Sequence, residues 1–137
     1  MKQLWRYHKD VLAIGLGLFF TYVGILHFTD VEWFTPIVPE ILPFSAEFWV
    51  IISGIPEVMC GIGLLLPRTR VLAGKATVLL LIILYWANLN MWINDIPLDG
   101  NTFPQWAHVL RGFAQLGMIA IAAYLGEWIP INSESSD

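Results

Sequence analysis

The stretch VLAGKATVLLLIILYWANLNMWI, residues 71–93, decides the fold. Lys75 is its one charged side chain, and its centre, Val78-Leu79-Leu80-Leu81-Ile82-Ile83-Leu84, shows no alternation of polar and apolar residues. A half-wetted strand would alternate. The run is close to the ~20 residues that cross a hydrocarbon core, and lipid offers backbone groups no hydrogen bonds, so the segment reads as a membrane-spanning helix.

Working outward, residues 11–28, 48–66 and 107–125 are runs of the same kind. The expected fold is all-α, an integral membrane four-helix bundle forming a single transmembrane domain over residues 1–137. Composition agrees. Of 137 residues 57% are hydrophobic and 13% charged, and mean hydropathy is +0.66. A soluble domain is about 25% charged, and a small particle has the most surface to cover per residue. A soluble enzyme and a disordered chain are therefore excluded. A net charge of -4 argues against nucleic acid as a partner, which wants a basic face. One cysteine, Cys60, excludes an internal disulfide, a CxxC pair and a cysteine-rich metal site, and no metal site is expected.

The basic start, Lys2, Arg6 and Lys9, resembles the head of a signal peptide. The apolar stretch after it is too long for a typical signal core and ends at His27-Phe28 without a small-x-small site, so a retained helix is expected. Pro67 stops the second span. The segment 31–44 carries Pro36, Pro39 and Pro43 among apolar residues and is too broken to span; it is either an ordinary interfacial loop or a cap on the bundle. The polar tail 132–137 reads as frayed.

Charge sets the expected direction. Lys2, Arg6 and Lys9 precede the first span, and Arg68, Arg70 and Lys75 flank the turn between the second and third. With four spans these fall on one side, and the positive-inside rule makes that side, and both termini, cytoplasmic. The other side carries Asp30, Glu32, Glu40, Glu47, Asp95 and Asp99. Trp5 and Trp128 fall at the inner interface and Trp33, Trp49, Trp92 and Trp106 at the outer one, an aromatic belt, with Trp86 deeper.

Two charges do not fit that sorting. Glu57 lies about nine residues into the second span, near mid-membrane at ~1.5 Å per residue, and a charge there costs roughly 3 kcal/mol. Arg111 is the one basic residue inside a span on the acidic side. A Glu57–Arg111 interaction is the expected remedy. Helical spacing adds neighbours. His108, Arg111 and Gln115 share a face, as do Gly54, Glu57 and Gly61, and Gly17, Thr21, Gly24 and His27; Asn88 shares one with Tyr85, while Asn90 points elsewhere. The glycines permit close helix approach. All these polar groups fall in the outer half, so His27, Glu57, Asn88, His108, Arg111 and Gln115 are the candidate ligand-binding residues of a polar chamber opening outward, with Glu57 a candidate proton relay. Each has a structural reading as well: ion-pair glue, interhelical hydrogen bonds, or solvated histidines near the interface. Axial haem ligation by His27 and His108 is disfavoured by their position near the boundary and the lack of a second pair. Cys60 reads as a packing residue.

The run Gly24-Ile25-Leu26-His27-Phe28, the segment from Pro36-Ile37-Val38-Pro39-Glu40 to Leu42-Pro43, and Ser53-Gly54-Ile55-Pro56-Glu57 leading to Pro67-Arg68-Thr69-Arg70 together resemble the DoxX-like family of small membrane proteins. Ala87-Asn88 resembles that family's Pro-Ala-Asn, and Arg111 with Gln115 its Arg-x-x-x-Gln. Trp86 stands where the family has proline, and Gly112-Phe113-Ala114 where it has Leu-Pro-Leu. The likeness runs through most of residues 11–125. It implies a four-helix bundle in a bacterial inner membrane, in a family named for a subunit associated with quinol oxidase and thiosulfate:quinone oxidoreductase. Three functions follow as expectations. The first is a quinone- or redox-linked accessory subunit, with a quinone as ligand and a respiratory or redox membrane protein as partner; the chain itself carries no CxxC and no nucleotide-binding glycine motif. The second is an assembly or chaperone subunit without chemistry of its own. The third is a small-molecule carrier, for which four short spans need a homo-oligomer.

Overall fold

The computed structural model describes residues 2–97 and 101–129, with side chains from Tyr7 onward. The side chains of Lys2, Trp5 and Arg6, together with Asp99 and the tail 132–137, lie outside the described residues.

The described residues form an all-helical fold. Helix α1 spans Lys2–Thr29, a short α2 spans Val31–Phe34 and runs into a 3-10 turn at Thr35–Ile37, and α3, α4 and α5 span Ala46–Leu65, Arg70–Ile93 and Gln105–Leu125. Four of these five, α1, α3, α4 and α5, are long and apolar enough to cross a membrane. The expected spans lie within them to within a residue. The main difference is that α1 begins several residues before position 11, because nothing in the stretch before Val11 breaks a helix once the apolar run nucleates it. Pro56 sits inside α3 and withholds one backbone donor, yet the helix continues through it.

Neighbouring long helices run antiparallel, and glycines set the closest approaches. Gly17 and Gly24 of α1 face Gly61 and Gly54 of α3. A Cβ on Gly24 would sit 2.9 Å from the Val58 backbone nitrogen, and one on Gly54 would sit 2.7 Å from the His27 Cβ. The pairs are seven residues apart on both helices, two turns of the same face. The two stripes expected from the sequence therefore face each other. At the far end of the bundle Gly74 of α4 meets the end of α5, where a Cβ would lie 2.5 Å from the Gly126 nitrogen and 2.8 Å from the Ala122 carbonyl oxygen.

The long helices enclose two unlike halves. At the α3–α4 end the interior is apolar and closely packed, built on Ala13, Leu16, Phe20, Leu64, Val78, Leu81, Ala122 and Leu125. At the other end the interior is polar and roofed by the proline-bearing segment. That segment is a cap: Ile37 is buried against Met91, and Asn90 donates its side-chain amide to the Ile37 carbonyl at 3.0 Å. Asn90 faces away from Asn88 and finds the cap there. Ser45 starts α3 by accepting from the Phe48 amide at 3.2 Å.

The tight α3–α4 turn leaves the last carbonyls of α3 without helical donors. Thr69 supplies one, its hydroxyl donating to the Gly63 carbonyl at 2.7 Å. Arg70 supplies another, its Nε donating to the Leu64 carbonyl at 3.0 Å while its Nη1 meets Asp10 Oδ1 of α1 at 2.8 Å. Arg70 thus ties three helices together, a role its reading as an orientation signal did not include. Arg70→Ala is expected to lower stability by about 1–2 kcal/mol, and Arg70→Lys to recover little of it, because lysine has one donor nitrogen to serve two sites. Unfolding in mixed detergent micelles measures both; full rescue by lysine would show that charge alone matters.

Candidate functional site

The polar half of the bundle contains a cavity of about 420 Å³. Its polar walls come from all four long helices: His27 from α1, Glu57 from α3, Asn88 from α4, and Arg111 and Gln115 from α5. Five of the six candidate residues are therefore brought together. The sixth, His108, is not. It is 4% exposed and lies in the α4–α5 contact, its ring stacked on Trp92 at 5.7 Å and edge-on to Phe103 at 6.2 Å. His108 does lie on the Arg111 face of α5, one turn nearer the helix start, but there the space is filled by those two rings.

The charges pair differently from the expectation. Glu57 does not meet Arg111. Its Oε2 lies 3.5 Å from Nε2 of His27, with both side chains buried. The reason is the glycine seam: Glu57 projects from the same α3 face as Gly54 and Gly61, and that face is pressed against α1, where His27 follows Gly24 by three residues. Arg111 instead turns to α4. Its Nη2 donates to Asn88 Oδ1 and its Nη1 to the sulfur of Met91. Both partners are neutral. Arg111 is thus a half-buried cation on one wall, and Glu57 a buried acid on the other.

The histidine fixes where a proton must sit. His27 Nδ1 lies 2.8 Å from the Val23 carbonyl. A carbonyl oxygen can only accept, so Nδ1 carries a hydrogen. Nε2 then turns either a lone pair or a second N–H toward the Glu57 carboxyl. Two facing lone pairs would repel, so the pair holds one proton between them, as a carboxylic acid against neutral imidazole or as a carboxylate against imidazolium. Their 3.5 Å separation is longer than an ordinary hydrogen bond, and Glu57 Oε2 has no hydrogen bond within the protein. Gln115 is more constrained: its amide donates to the Leu81 carbonyl at 2.8 Å, an interhelical bond of the kind its structural reading supposed, which leaves its oxygen as the free end. Thr21, on the His27 stripe, turns its hydroxyl back to the Gly17 carbonyl at 2.7 Å.

The roof supplies residues that the sequence reading did not place in the site. Phe34 stacks on the His27 ring at 4.1 Å, and Trp33 packs edge-on against Phe34 at 4.9 Å. Both line the cavity with Ile37. The available signal was thermodynamic. A segment too broken to span still carries Trp33, Phe34 and Ile37, and apolar side chains of that size are most stable against some interior surface. Met91, 0% exposed, was also missed; it belongs to an apolar run with nothing to single it out as an acceptor. Among the described residues, no three His, Cys, Asp or Glu side chains are grouped as a metal site needs.

The arrangement can bind a flat or compact group that presents an acceptor to Arg111 and a polar atom to the Glu57–His27 pair, under an aromatic roof. No curated protein and no solved structure matches the chain. A family model described as a domain of unknown function, DUF8561, matches residues 16–126, which include every wall of the cavity, and the chain belongs to that family.

Proposed function

We propose that this is a four-span membrane protein of the DoxX-like kind, lying in a bacterial inner membrane with both termini in the cytoplasm, and that its cavity takes a quinone-type headgroup as the binding part of a redox-linked accessory subunit. The basic residues Arg68, Arg70 and Lys75 at the α3–α4 end, and the acidic Asp30, Glu32, Glu40, Glu47 and Asp95 at the other, support the direction. Long rows of exposed apolar side chains on the helices, Leu18, Ile25, Ile83 and Leu110 among them, support a lipid environment.

The observation that carries the binding reading is the two-sided polarity of the cavity. A guanidinium has five N–H groups. Those of Arg111 that do not meet Asn88 and Met91 suit an acceptor oxygen at one end of a ring. The His27–Glu57 pair, holding one proton, suits the oxygen at the other end, and Glu57 is the candidate relay for that proton. Phe34 and Trp33 offer aromatic faces to the ring. The volume lies within the range of small-ligand sites, about 300–1,000 Å³. Electrons would come from a partner protein.

Purified protein, extracted for lipid-soluble components and analysed by mass and by ultraviolet–visible spectrum, should yield a quinone in about equal amount to the chain. Arg111→Leu should retain roughly tenfold less, the effect of losing one charge-assisted hydrogen bond in a dry site. Recovery of ordinary phospholipid alone would count against the reading. The assembly alternative has one observation of its own, an apolar groove of about 340 Å³ on the outer side of α4 and α5, lined by Ile82, Tyr85, Val109, Gly112 and Phe113. It predicts normal partner complexes from Arg111→Leu.

A further inference from the structure

We infer that the cavity is filled from within the bilayer, through a slit between α1 and α5, so that its ligand is an amphipath with its polar head between Glu57 and Arg111 and its tail left among the lipids. This rests on the cavity being the binding site proposed above, and it adds the route and the shape of the ligand.

The lips of the cavity come from two helices. Helix α1 contributes Phe19, Val23 and Leu26, and α5 contributes Arg111, Ala114 and Met118. Those spacings of three and four place each set on one helix face. Seven residues at ~1.5 Å each give a slit of about 10 Å. Exposure falls from the lips inward: Phe19 is 45% exposed and Ala114 is exposed, while Phe20, Leu81 and Gln115 behind them are buried. Helices α3 and α4 form the opposite wall with Glu57, Leu81, Leu84, Ala87 and Asn88, beyond which a smaller hollow of about 200 Å³ lies between α3, α4 and the cap. The end of the bundle is covered by the Phe34 ring lying on His27 and by buried Ile37, with Trp33 beside them 46% exposed. Toward the other end α1 and α5 are joined, His8 against Tyr124 with rings stacked at 5.6 Å. The α1–α5 side is where Phe19 and Ala114 leave the lining exposed, and on a membrane-spanning bundle the side faces hydrocarbon.

Polarity follows the same path. Apart from Arg111 at the roof end, the lips are aliphatic or aromatic, and the buried polar groups lie behind them. Glu57, 5% exposed, faces His27 across 3.5 Å with a carboxyl oxygen that lacks a hydrogen bond in the protein, so the acid at the deep end has hydrogen-bonding capacity left for a ligand. A water-soluble molecule gains nothing from an apolar doorway that opens on lipid. An amphipath matches it along its length.

The test uses the full chain in nanodiscs of phosphatidylethanolamine and phosphatidylglycerol. The probes are decyl-tailed ubiquinone, the same quinone ring without a tail, and oleate as an amphipath that is not a quinone. Ala114→Trp narrows the slit at an exposed position, and Leu79→Trp, 56% exposed on α4 and away from the cavity lining, is its control. Ala114→Trp should weaken the tailed quinone by about tenfold and the tailless ring little, with Leu79→Trp matching the parent chain. Equal weakening of tailed and tailless probes, or of neither, overturns the lateral route while leaving the quinone reading standing. Tight oleate binding that is sensitive to Ala114→Trp, with no quinone bound, upholds the route and removes the quinone. Binding of none of the three removes both.

Discussion

Gly61→Val is expected to lose most of the folded bundle, with a cost at or above the upper end of the ~1–3 kcal/mol usual for overpacking. A Cβ at position 61 would lie against the Thr21 hydroxyl, 2.6 Å from the Thr21 backbone nitrogen and 2.8 Å from the Gly17 carbonyl oxygen. Two of those three atoms are backbone, so no rotamer change relieves the contact, and Thr21→Ala added to Gly61→Val should not rescue it. Helix α1 would have to move away from α3 as a body, loosening the Gly24–Gly54 approach two turns further along. In lipid this matters more than in water, because tails are as apolar as leucine and close small-residue packing is a main source of helix association. Total stabilities are only about 5–15 kcal/mol, so the folded fraction in mixed micelles should drop visibly at moderate denaturant. Gly15→Val is the matched control: it adds the same bulk to α1 where nothing lies within 4 Å. Equal loss from both substitutions would mean that helix propensity, and not the seam, sets the effect.

The seam was legible before the structure because glycine spacing is a property of one helix at a time. Gly17 with Gly24, and Gly54 with Gly61, mark faces on α1 and α3 from sequence alone. The spans were legible for the same reason, since hydrophobic length is local. The pairing of Glu57 was not, because it depends on which helices adjoin. Matching formal charges pointed to Arg111, the one basic residue within a span on the acidic side. Matching faces would have pointed to His27: the Glu57 face carries two glycines, the first helix offers a glycine face to receive it, and His27 lies on that face. Glu57 is buried as expected, and its neighbour is His27 and not Arg111. His108 lies outside the cavity lining for a related reason. Its periodicity with Arg111 is real, but an arginine side chain can reach past its neighbours to Asn88 and Met91, whereas the imidazole, a turn earlier, stays where Trp92 and Phe103 fill the space. The roof was the least legible part. Proline-broken segments lack periodicity, so only the burial demand of Trp33, Phe34 and Ile37 argued for a docked cap.

His27→Leu should be the most destabilising single change among the cavity residues, by roughly 3 kcal/mol, because it leaves Glu57 buried without its partner. The size depends on which side holds the shared proton: a stranded carboxylate costs about 3–5 kcal/mol and a stranded carboxylic acid about 1–3. Glu57→Gln should cost much less, since its amide can donate to the Nε2 lone pair that the acid faces, while Nδ1 keeps its bond to the Val23 carbonyl. The double variant His27→Leu/Glu57→Leu removes both polar groups and should recover most of the loss, as replacing a buried pair by apolar residues often does. Coupling of this sign distinguishes a pair from two independent polar residues, whose costs would add. The same cycle run on Glu57→Gln and Arg111→Leu should be nearly additive, because Arg111 bonds to Asn88 and Met91 and not to the acid. Strong coupling of Glu57 to Arg111 with none to His27 would reverse the assignment. Infrared spectra of the folded protein, with and without Glu57→Gln, then locate the proton. A carboxylic-acid band that vanishes in the variant places it on Glu57. No such band places it on His27, and the guanidinium then shares the cavity with an imidazolium–carboxylate pair, a site that holds two cations and one anion and favours a ligand oxygen bearing negative charge.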